Sequence, residues 1–375
     1  MTPKTDARFM SLALSLGRRG MGRVWPNPAV GCVIVKDGRI VGRGWTADGG
    51  RPHAETRALE QAGAAARGAT AYVTLEPCAH HGQTPPCAQS LIAVGIARVV
   101  IAAGDPDPRV NGGGIAMLER AGIAVTTGVC AAEATDDHAG FLLRVTQQRP
   151  FVTLKLAGTL DGRIATATGE SKWITGPDAR RMVHIMRARH DAVMVGAGTV
   201  RADDPGLTVR GLGVERQPVR VVVSRSMKLP TDSQLAQTAE TNPVWLCHGA
   251  EADVAAWQSK GAVSVPCAIN AGQVDPHSVM HELAAKGISR VFCEGGGMLA
   301  ASLLAANLVD ELVVFTAGRA IGAEGTPMIA AMGVDRLANA PQFRLHKAAP
   351  VGADVCQVWR RLTSPQEGIS RKKPL

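Results

Sequence analysis

Aromatic side chains are scarce in this chain, which has one Tyr, six Trp and six Phe among its 375 residues. Proteins that bind single-stranded nucleic acid stack bases on aromatic rings, so this scarcity argues against a nucleic-acid partner despite a formal net charge of +9. The cores must be built from Ala, Val, Leu and Ile, as in tightly packed α/β domains. We therefore expect acidic small molecules, such as phosphorylated ones, as partners.

Long hydrophobic runs are also missing. No stretch approaches the roughly 18 apolar residues of a membrane span. The N-terminal segment "MTPKTDARFMSLALSLGRRG" is typical of an amphipathic helix and not of a signal peptide. The eight Cys are too sparse for a disulfide framework in a chain of this length. We expect a cytoplasmic protein without membrane attachment, in which most Cys are small core residues and a few are ligands.

The chain is organised as two successive α/β patterns. Up to about residue 146, runs rich in Val and Ile alternate with Ala-rich helical stretches, and the rhythm restarts at "FVTLKLAGTL" after the polar segment "TQQRP" (146–150). The pair Asp37-Gly38 between two apolar runs predicts a hairpin. We predict a first domain over residues 1–146, a second over 150–362, and a flexible tail over 363–375 that carries the basic cluster at 371–373.

Four residues in the first domain form a pattern typical of a catalytic zinc site. In "HAETRALEQAG" (53–63) a Glu follows two residues after a His, and "LEPCAHHGQTPPC" (75–87) supplies two Cys. Catalytic zinc takes three protein ligands and leaves a fourth position to water, and His53, Cys78 and Cys87 meet that count. Glu55 lies too close to His53 in sequence to be a fourth ligand, and is suited to move a proton from an activated water to a leaving amine. His-x-Glu followed by Pro-Cys and a second Cys is the signature of hydrolytic zinc deaminases.

The spacing of the two Cys indicates which class of substrate the site accepts. Nucleic-acid deaminases typically use Cys-x-x-Cys, whereas eight residues separate Cys78 from Cys87. The longer loop places His80, His81 and Thr84 beside the metal and suits a bulky polar substrate. Simple solvent exposure explains the two His equally well.

The motifs "NPAVGCVIVKDGRIVGRGW", "PHAE" and "AYVTLEPCAHHGQTPPC" resemble the deaminase half of the RibD family of bifunctional riboflavin-biosynthesis enzymes. The resemblance continues through "LKLAGTLDGRIATATGESKWITG", "ADDPGLTVR" and "EGGGMLAASLL", which are similar to the family's reductase half. It covers residues 1 to about 362 in the same order. It implies an α/β fold class, with an N-terminal cytidine-deaminase-like domain followed by a dihydrofolate-reductase-like domain.

The resemblance also implies two reactions. The first is the zinc-dependent hydrolytic deamination of 2,5-diamino-6-ribosylamino-4(3H)-pyrimidinone 5′-phosphate. The second is the NADPH-dependent reduction of the ribosyl group to a ribityl chain. One Zn²⁺ per chain, NADPH, a phosphorylated pyrimidine substrate and a homodimer or homotetramer are the implied cofactors and partners.

Matched positions supply the remaining candidate site residues. For NADPH they are Ala157, Trp173, Thr199, Asp203, Gly296, Gly297, Met298, Leu299, Ala300, Ala301 and Ser302. For the substrate they are Ser171, Arg187, Leu207, Arg210 and Glu294, with Asn27 and His80 in the first domain.

The physical properties of these residues suit such roles. In "VFCEGGGMLAAS" a strand leads through Gly residues into a helix whose first amides can hold a pyrophosphate. Arg187 and Arg210 can clamp a phosphate, the alternatives being solvation of Arg187 on a helix surface and a loop salt bridge for Arg210. Lys155 and Asp161 also lie in matched stretches, but the sequence assigns neither a role.

The chain departs from the family pattern in three places. Thr46 stands where many relatives carry a His, and Gln83 stands where they often carry Arg or Lys; both changes can weaken substrate contacts in the first domain. Ser224-Arg225 replaces an acidic residue and a Ser near the expected adenosine ribose, and the Arg225 guanidinium favours NADPH over NADH. A solvated loop position is the alternative for Arg225.

Two other functions stay open at this stage. One is a nucleoside- or RNA-directed zinc deaminase whose C-terminal half is a non-catalytic binding domain. The other is a reductase joined to an inert deaminase scaffold, which the departures at Thr46 and Gln83 allow.

Overall fold

A computed structural model describes residues 2–80 and 85–362. These residues form two compact units that part between Pro150 and Phe151, and the first unit also takes in Ala284–Ser289. His81, Gln83, Thr84 and the predicted tail over 363–375 lie outside the described residues.

The first unit is a five-stranded sheet with helices. Its helices are α1 (Pro3–Gly17), α2 (Ala54–Ala62), α3 (Cys87–Val94), α4 (Gly113–Arg120) and α5 (Ala131–Gln147), and its strands are β1 (Gly31–Lys36), β2 (Arg39–Trp45), β3 (Thr70–Leu75), β4 (Arg98–Ala103) and β5 (Ala124–Thr127). The sheet order is β2-β1-β3-β4-β5. Strand β1 runs antiparallel to β2 and β3, whereas β3, β4 and β5 are parallel.

Helices cover both faces of this sheet. All six residues of β3 are buried, which is why the strand is a nearly continuous apolar run. Tyr72 packs with Met10 of α1 on one face. Val73 packs with Ala58 of α2 and Leu91 of α3 on the other. The few aromatic residues are compensated here by Ala and branched aliphatic side chains.

The single Tyr also anchors a buried polar network. The Tyr72 hydroxyl donates to Oδ1 of Asp6 at 2.8 Å. The Arg98 guanidinium donates to both carboxylate oxygens of Asp6 at 2.9 and 2.8 Å. These hydrogen bonds, Arg98 first, lower the pKa of Asp6 against the opposing effect of burial. The network ties α1 to β3 and β4.

Two local features of the β1–β2 hairpin place α2. The predicted turn is present, since Asp37 and Gly38 join the strands with φ of 49° and 74°, and Gly adopts such angles without a steric penalty. Further along β2, a Cβ on Gly44 would lie 2.1 Å from the Ala54 carbonyl oxygen. Only Gly lets the start of α2, with His53 just before it, rest directly on the strand.

The second unit is built on a nine-stranded sheet. Its helices are α6 (Pro177–Ala188), α7 (Ala197–Asp203), α8 (Gln234–Gln237), α9 (Ala255–Gln258), α10 (Pro276–Ala285) and α11 (Gly297–Ala305). The nine strands are β6 (Phe151–Thr159), β8 (Ala192–Gly196), β9 (Val219–Val223), β10 (Val244–His248), β11 (Val263–Pro266), β14 (Arg290–Cys293), β15 (Glu311–Ala317), β17 (Phe343–Val351) and β18 (Asp354–Arg361). Two short ladders join β7 (Arg163–Ala165) to β16 (Thr326–Pro327) and β12 (Ile269–Asn270) to β13 (Gln273–Val274).

The sheet order is β11-β10-β9-β8-β14-β6-β15-β18-β17. Strands from β11 to β15 in this order are parallel, while β18 pairs antiparallel with β15 and β17. The core includes Val193, Leu246, Trp257, Phe292 and Phe315. Because the carboxyl ends of parallel strands share one edge, the segments after β6, β8 and β14 can contribute to one site.

Two elements differ from the sequence-based expectation. Helix α5 continues to Gln147, so the polar segment 146–150 that marks the predicted boundary begins inside a helix. Strand β17 was not anticipated, because most of its residues are exposed. No helix in the described ranges is both long and apolar enough to cross a bilayer.

Candidate active sites

Two helix starts and a strand end bring the predicted zinc ligands together. His53 is the N-cap of α2, Cys87 is the first residue of α3, and Cys78 follows β3. Nδ1 of His53 lies 3.3 Å from Sγ of Cys87 and 3.8 Å from Sγ of Cys78. Tetrahedral zinc, with bonds of about 2.3 Å to sulfur and about 2.05 Å to nitrogen, holds such atoms about 3.6 Å apart. The three donor atoms, all within 4.8 Å of one another, therefore fit zinc.

Hydrogen bonding prepares one of the two Cys as a thiolate. The thiol of Cys87, the side chain of His53 and the backbone N–H of Cys87, at 3.3 Å, hydrogen-bond to the Cys78 sulfur. These contacts, the Cys87 thiol first, lower the pKa of Cys78 to about 4. The pKa of Cys87 is raised, because its proton is shared with Cys78 and its sulfur is buried. Metal binding at such a pair releases the remaining thiol proton.

Glu55 is a buried carboxyl beside these ligands, with a relative exposure of 4%. Burial raises the pKa of Glu55 to about 6, the charge on Cys78 adds to the effect, and His53 opposes it. The carboxyl also has a hydrogen-bond contact with Cys87. A carboxyl with a pKa near neutrality can both take up and release a proton, which suits the role predicted for Glu55.

A second buried carboxylate, Glu76, lies in the same motif as Cys78, but the sequence alone indicates no role for it. It accepts backbone N–H bonds from Gly112 at 3.1 Å, Gly114 at 3.0 Å and Ile115 at 3.2 Å. These amides belong to the start of α4. Glu76 thereby fixes the loop after β4 against the segment that carries Cys78.

The same loop carries two buried acidic residues that sequence reasoning missed. Burial raises the pKa of Asp105 to about 6. The ion pair with Arg109, 2.5 Å from Nη2 to Oδ2, lowers the pKa of Asp107 to about 2. His80 also interacts electrostatically with Asp107, so the predicted substrate residue lies near this acidic pair. The signal that could have found these two residues is the parallel pairing of β3 and β4, because the carboxyl ends of parallel strands lie at the same edge of a sheet.

Asn27 and Thr46 lie in segments held by local hydrogen bonds. The Asn27 side chain donates to the Gly50 carbonyl at 2.7 Å. Thr46 is buried, and its hydroxyl donates to the Pro28 carbonyl at 2.9 Å and accepts from the Val30 N–H at 3.0 Å. Thr46 therefore stabilises the segment that follows Asn27.

In the second unit, the predicted dinucleotide segment opens α11. Gly296 is the N-cap, and its N–H donates to Oγ1 of Thr199 in α7 at 3.2 Å. Gly297, Met298 and Leu299 are the first three helical residues, whose amides have no partner within the helix. Exposed amides at a helix start fit the pyrophosphate of a dinucleotide.

The next three predicted residues lie one turn further along α11. The Ala300 N–H already donates to the Gly296 carbonyl at 3.1 Å. Ala300 and Ala301 are buried, and Ser302 is partly buried. These residues pack the start of the helix into place. The Ala300 amide is engaged within the helix and is not free to bind a ligand.

The other predicted cofactor residues lie in different segments of the second unit. Ala157 lies on β6 and packs against the core of the second unit. Trp173 is 65% exposed, and the Arg180 guanidinium lies 4.6 Å from its ring centroid. Asp203 is the exposed last residue of α7.

Two predicted substrate residues form a buried ion pair. Nε and Nη2 of Arg187 on α6 donate to the carboxylate oxygens of Glu294 at 2.5 and 3.0 Å. Their side chains are 11% and 10% exposed, so Arg187 is not a solvated surface residue. Burial opposes ionisation of Glu294, but Arg187 outweighs it and the pKa of Glu294 is lowered. Burial lowers the pKa of Lys155, which also interacts with Glu294.

The remaining predicted substrate residues include a constrained loop. Leu207 has φ of 53° and is buried, with 3% of the residue exposed. Arg210 is exposed and Ser171 is partly buried. The Thr208 carbonyl accepts from Nη1 of Arg187 at 2.9 Å, which links this loop to the buried ion pair.

Arg225 follows β9 and is exposed. Its guanidinium donates to the Gly272 carbonyl at 3.2 Å, in the turn of the β12–β13 ladder. The Ser224 hydroxyl accepts from the Met227 N–H at 3.2 Å. Arg225 is thus an exposed cation tethered to a neighbouring turn and not simply a solvated side chain.

A His-Cys-Cys zinc site beside a buried Glu is the hallmark of the hydrolytic zinc deaminases. The second unit adds a dinucleotide-type helix start near a charged site. Comparison with known proteins is consistent with both halves. The family "Cytidine and deoxycytidylate deaminase zinc-binding region" matches residues 3–103, and the family "RibD C-terminal domain" matches residues 150–357.

Individual relatives match along nearly the whole chain. It is 43% identical to the riboflavin biosynthesis protein RibD of Escherichia coli, over 94% of this chain and 98% of that protein. It is 40% identical to RibD of Aquifex aeolicus, over 96% of this chain and 100% of that protein. The structure of Acinetobacter baumannii RibD superposes with a TM-score of 0.88 at 36% identity, covering 96% of this chain and 100% of that chain.

This chain therefore belongs to the RibD family. It is a bifunctional enzyme of riboflavin biosynthesis, with a zinc-dependent deaminase and an NADPH-dependent reductase. The predicted fold class, a cytidine-deaminase-like domain followed by the reductase domain, is confirmed. Matches to both halves do not favour the alternative of a nucleoside- or RNA-directed deaminase with a non-catalytic C-terminal domain.

Proposed function

We propose that residues 1–146 deaminate 2,5-diamino-6-ribosylamino-4(3H)-pyrimidinone 5′-phosphate and that residues 150–362 then reduce the ribosyl group of the product. A related structure from Thermotoga maritima, 36% identical, is titled a diaminohydroxyphosphoribosylaminopyrimidine deaminase and 5-amino-6-(5-phosphoribosylamino)uracil reductase. The observation that carries the proposal is the convergence of three zinc donors and one buried proton carrier in the first unit of a chain that matches the family from end to end.

In the deaminase, His53, Cys78 and Cys87 hold the metal. Zinc, when bound, supplies the Lewis acid that activates a water for attack on the aminated ring carbon. Glu55 takes a proton from that water and returns it to the leaving amine, so that the C–N bond breaks and ammonia leaves while a ring carbonyl forms. Its burial, with 4% of the residue exposed, and its contact with Cys87 support this role. Asn27 and His80 contact the substrate.

In the reductase, the start of α11 and Thr199 hold the cofactor pyrophosphate. The other cofactor contacts are the predicted ones at Ala157, Trp173, Asp203, Arg225 and Gly296 to Leu299, while Ala300, Ala301 and Ser302 support that segment from within α11. NADPH, when bound, supplies a hydride for the sugar carbon. The chain's own task is to align the two reactants, which is the main requirement of hydride transfer.

The reductase substrate lies against the Arg187–Glu294 pair. Arg210 meets its phosphate, while Ser171 and Leu207 line its position. Arg187 has its Nε, Nη1 and Nη2 engaged by Glu294 and Thr208, so within this set Arg210 is the more accessible cation. The exposed Arg225 suits the 2′-phosphate of NADPH, which favours that cofactor over NADH.

We also propose a cytoplasmic homodimer or homotetramer that does not act on nucleic acid. The scarcity of aromatic residues supports the last point, since base stacking needs aromatic rings. Phosphates on the substrate and on NADPH account for the basic balance of the chain.

The test compares the wild type with Glu55→Gln. Each protein receives the diaminopyrimidine substrate, and ammonia release is followed without NADPH and NADPH oxidation with it. We expect the variant to lose deamination by about 100- to 10,000-fold, the range for removing a general acid–base group. It should still oxidise NADPH when given the deaminated intermediate. Glu60→Gln, an exposed change on the same helix, is the matched control.

Either of two results contradicts the proposal. One is a zinc-loaded wild type that releases no ammonia, which leaves the chain with at most the reductase activity. The other is full deamination by Glu55→Gln, which removes the assigned proton carrier.

A further inference from the structure

The loop Gly206–Arg210 is held along its backbone by side chains from neighbouring elements. Gln217 accepts from the Val209 N–H at 2.7 Å and donates to the Val209 carbonyl at 3.2 Å. Arg187 donates to the Thr208 carbonyl at 2.9 Å. The backbone course that presents Arg210 is therefore determined by specific hydrogen bonds and not by packing alone.

One of these contacts comes from a residue outside the proposed site. Nδ1 of His184 accepts the backbone N–H of Arg210 at 3.3 Å. His184 is partly buried on α6, one turn before Arg187. Accepting this bond requires a neutral imidazole with its proton on Nε2. The imidazole also has a hydrogen-bond contact with the Thr208 backbone.

The surroundings of His184 favour that neutral form. Burial is the main cause of the lowered pKa of His184, and the positive charges of Arg187 and Arg210 add to it. Glu294, which faces it from the end of β14, and the Thr208 backbone oppose the shift. At neutral pH the ring is an acceptor for Arg210.

We propose that His184 is a positioning residue of the reductase, which holds the Arg210 backbone so that the guanidinium meets the phosphate of the substrate. This inference rests on the proposed function, in which Arg210 binds that phosphate. His184 acts through Arg210 and does not touch the reacting atoms. Its contribution should therefore appear in substrate binding and not in the chemical step.

The experiment measures NADPH oxidation with the deaminated intermediate for His184→Leu, His184→Gln, Arg210→Ala and the double variant His184→Leu/Arg210→Ala. Leu removes the acceptor, whereas Gln keeps an oxygen that can accept the Arg210 N–H. We expect His184→Leu to raise the KM for the intermediate about three- to tenfold, the equivalent of one hydrogen bond. The kcat and the KM for NADPH should stay within about twofold, and His184→Gln should restore most of the substrate KM.

The double variant is the decisive comparison. If His184 works through Arg210, adding His184→Leu to Arg210→Ala raises KM no further. A full additional increase overturns the inference, as does a loss of kcat and NADPH binding in parallel with substrate binding. Thermal unfolding of the second unit, compared with the wild type, reports whether each variant folds. If His184→Leu does not fold, His184→Phe takes its place.

Failure of the inference is distinguishable from failure of the proposed function. If Arg210→Ala raises the substrate KM but His184→Leu does not, only the role of His184 is wrong. If Arg210→Ala leaves the substrate KM unchanged, the phosphate role of Arg210 is wrong, and the positioning role of His184 falls with it.

Discussion

Replacing Glu76 with Ala should weaken the zinc site although Glu76 is not a metal ligand. The change leaves the amides of Gly112, Gly114 and Ile115 without the carboxylate that accepts them at 3.0 to 3.2 Å. A hydrogen bond to a charged group contributes about 1.5–3 kcal/mol. The three bonds share one carboxylate and are not additive. We expect the first unit to lose about 3–5 kcal/mol of unfolding free energy.

The same substitution should also affect the metal ligand Cys78, because the start of α4 packs against the segment that carries it. Gly114 packs on the carbonyl of Pro77, since a Cβ there would lie 2.0 Å from that oxygen. Pro77 directly precedes Cys78, so releasing the start of α4 frees a ligand-bearing segment. Outer partners of this kind typically change metal affinity by about 10- to 100-fold. We therefore expect zinc to bind Glu76→Ala about 10- to 100-fold more weakly.

Three measurements on one preparation check this reasoning. Chelator competition gives the zinc affinity, ammonia release gives the deaminase activity, and NADPH oxidation with the deaminated intermediate serves as an internal control for the second unit. Glu119→Ala, an exposed change on α4, is the matched control. Wild-type zinc affinity and wild-type unfolding in Glu76→Ala would refute the assigned role of its carboxylate.

Two further predictions concern the charged pairs. Glu294→Gln leaves the Arg187 charge, on a side chain only 11% exposed, without its counter-ion. The second unit should lose about 3 kcal/mol of unfolding free energy. NADPH oxidation should fall while ammonia release persists. An unchanged melting temperature together with unchanged NADPH oxidation would contradict this prediction. Asp6 has a lowered pKa, chiefly because Arg98 donates to it. Its contribution is present above the unfolded carboxyl pKa of about 3.9 and is lost as pH falls through the lower folded value. The free energy of unfolding, measured with urea, should therefore differ less between the wild type and Asp6→Asn at pH 3 than at pH 7. A difference independent of pH would count against the ion pair.

The zinc ligands could be predicted from the sequence because their identities and local positions carry the chemistry. His53 and Cys87 each stand at a helix start, and a Pro precedes Cys78. The Asp37-Gly38 turn could be predicted for the same reason, since the two residues themselves favour the required backbone angles. In each case the determining interactions lie within a few residues.

Tertiary structure alone decided which distant groups meet. Arg187 and Glu294 are separated by 107 positions, and only the order of the parallel strands makes them a buried ion pair. Glu76 was visible in the motif, but the amides that it binds lie beyond another helix and strand. The matched positions indicated Arg210 as a phosphate ligand but did not point to His184, whose role depends on where α6 lies against the loop. Sequence patterns encode local geometry and ligand chemistry, whereas pairings between remote segments depend on how the whole sheet buries its apolar faces.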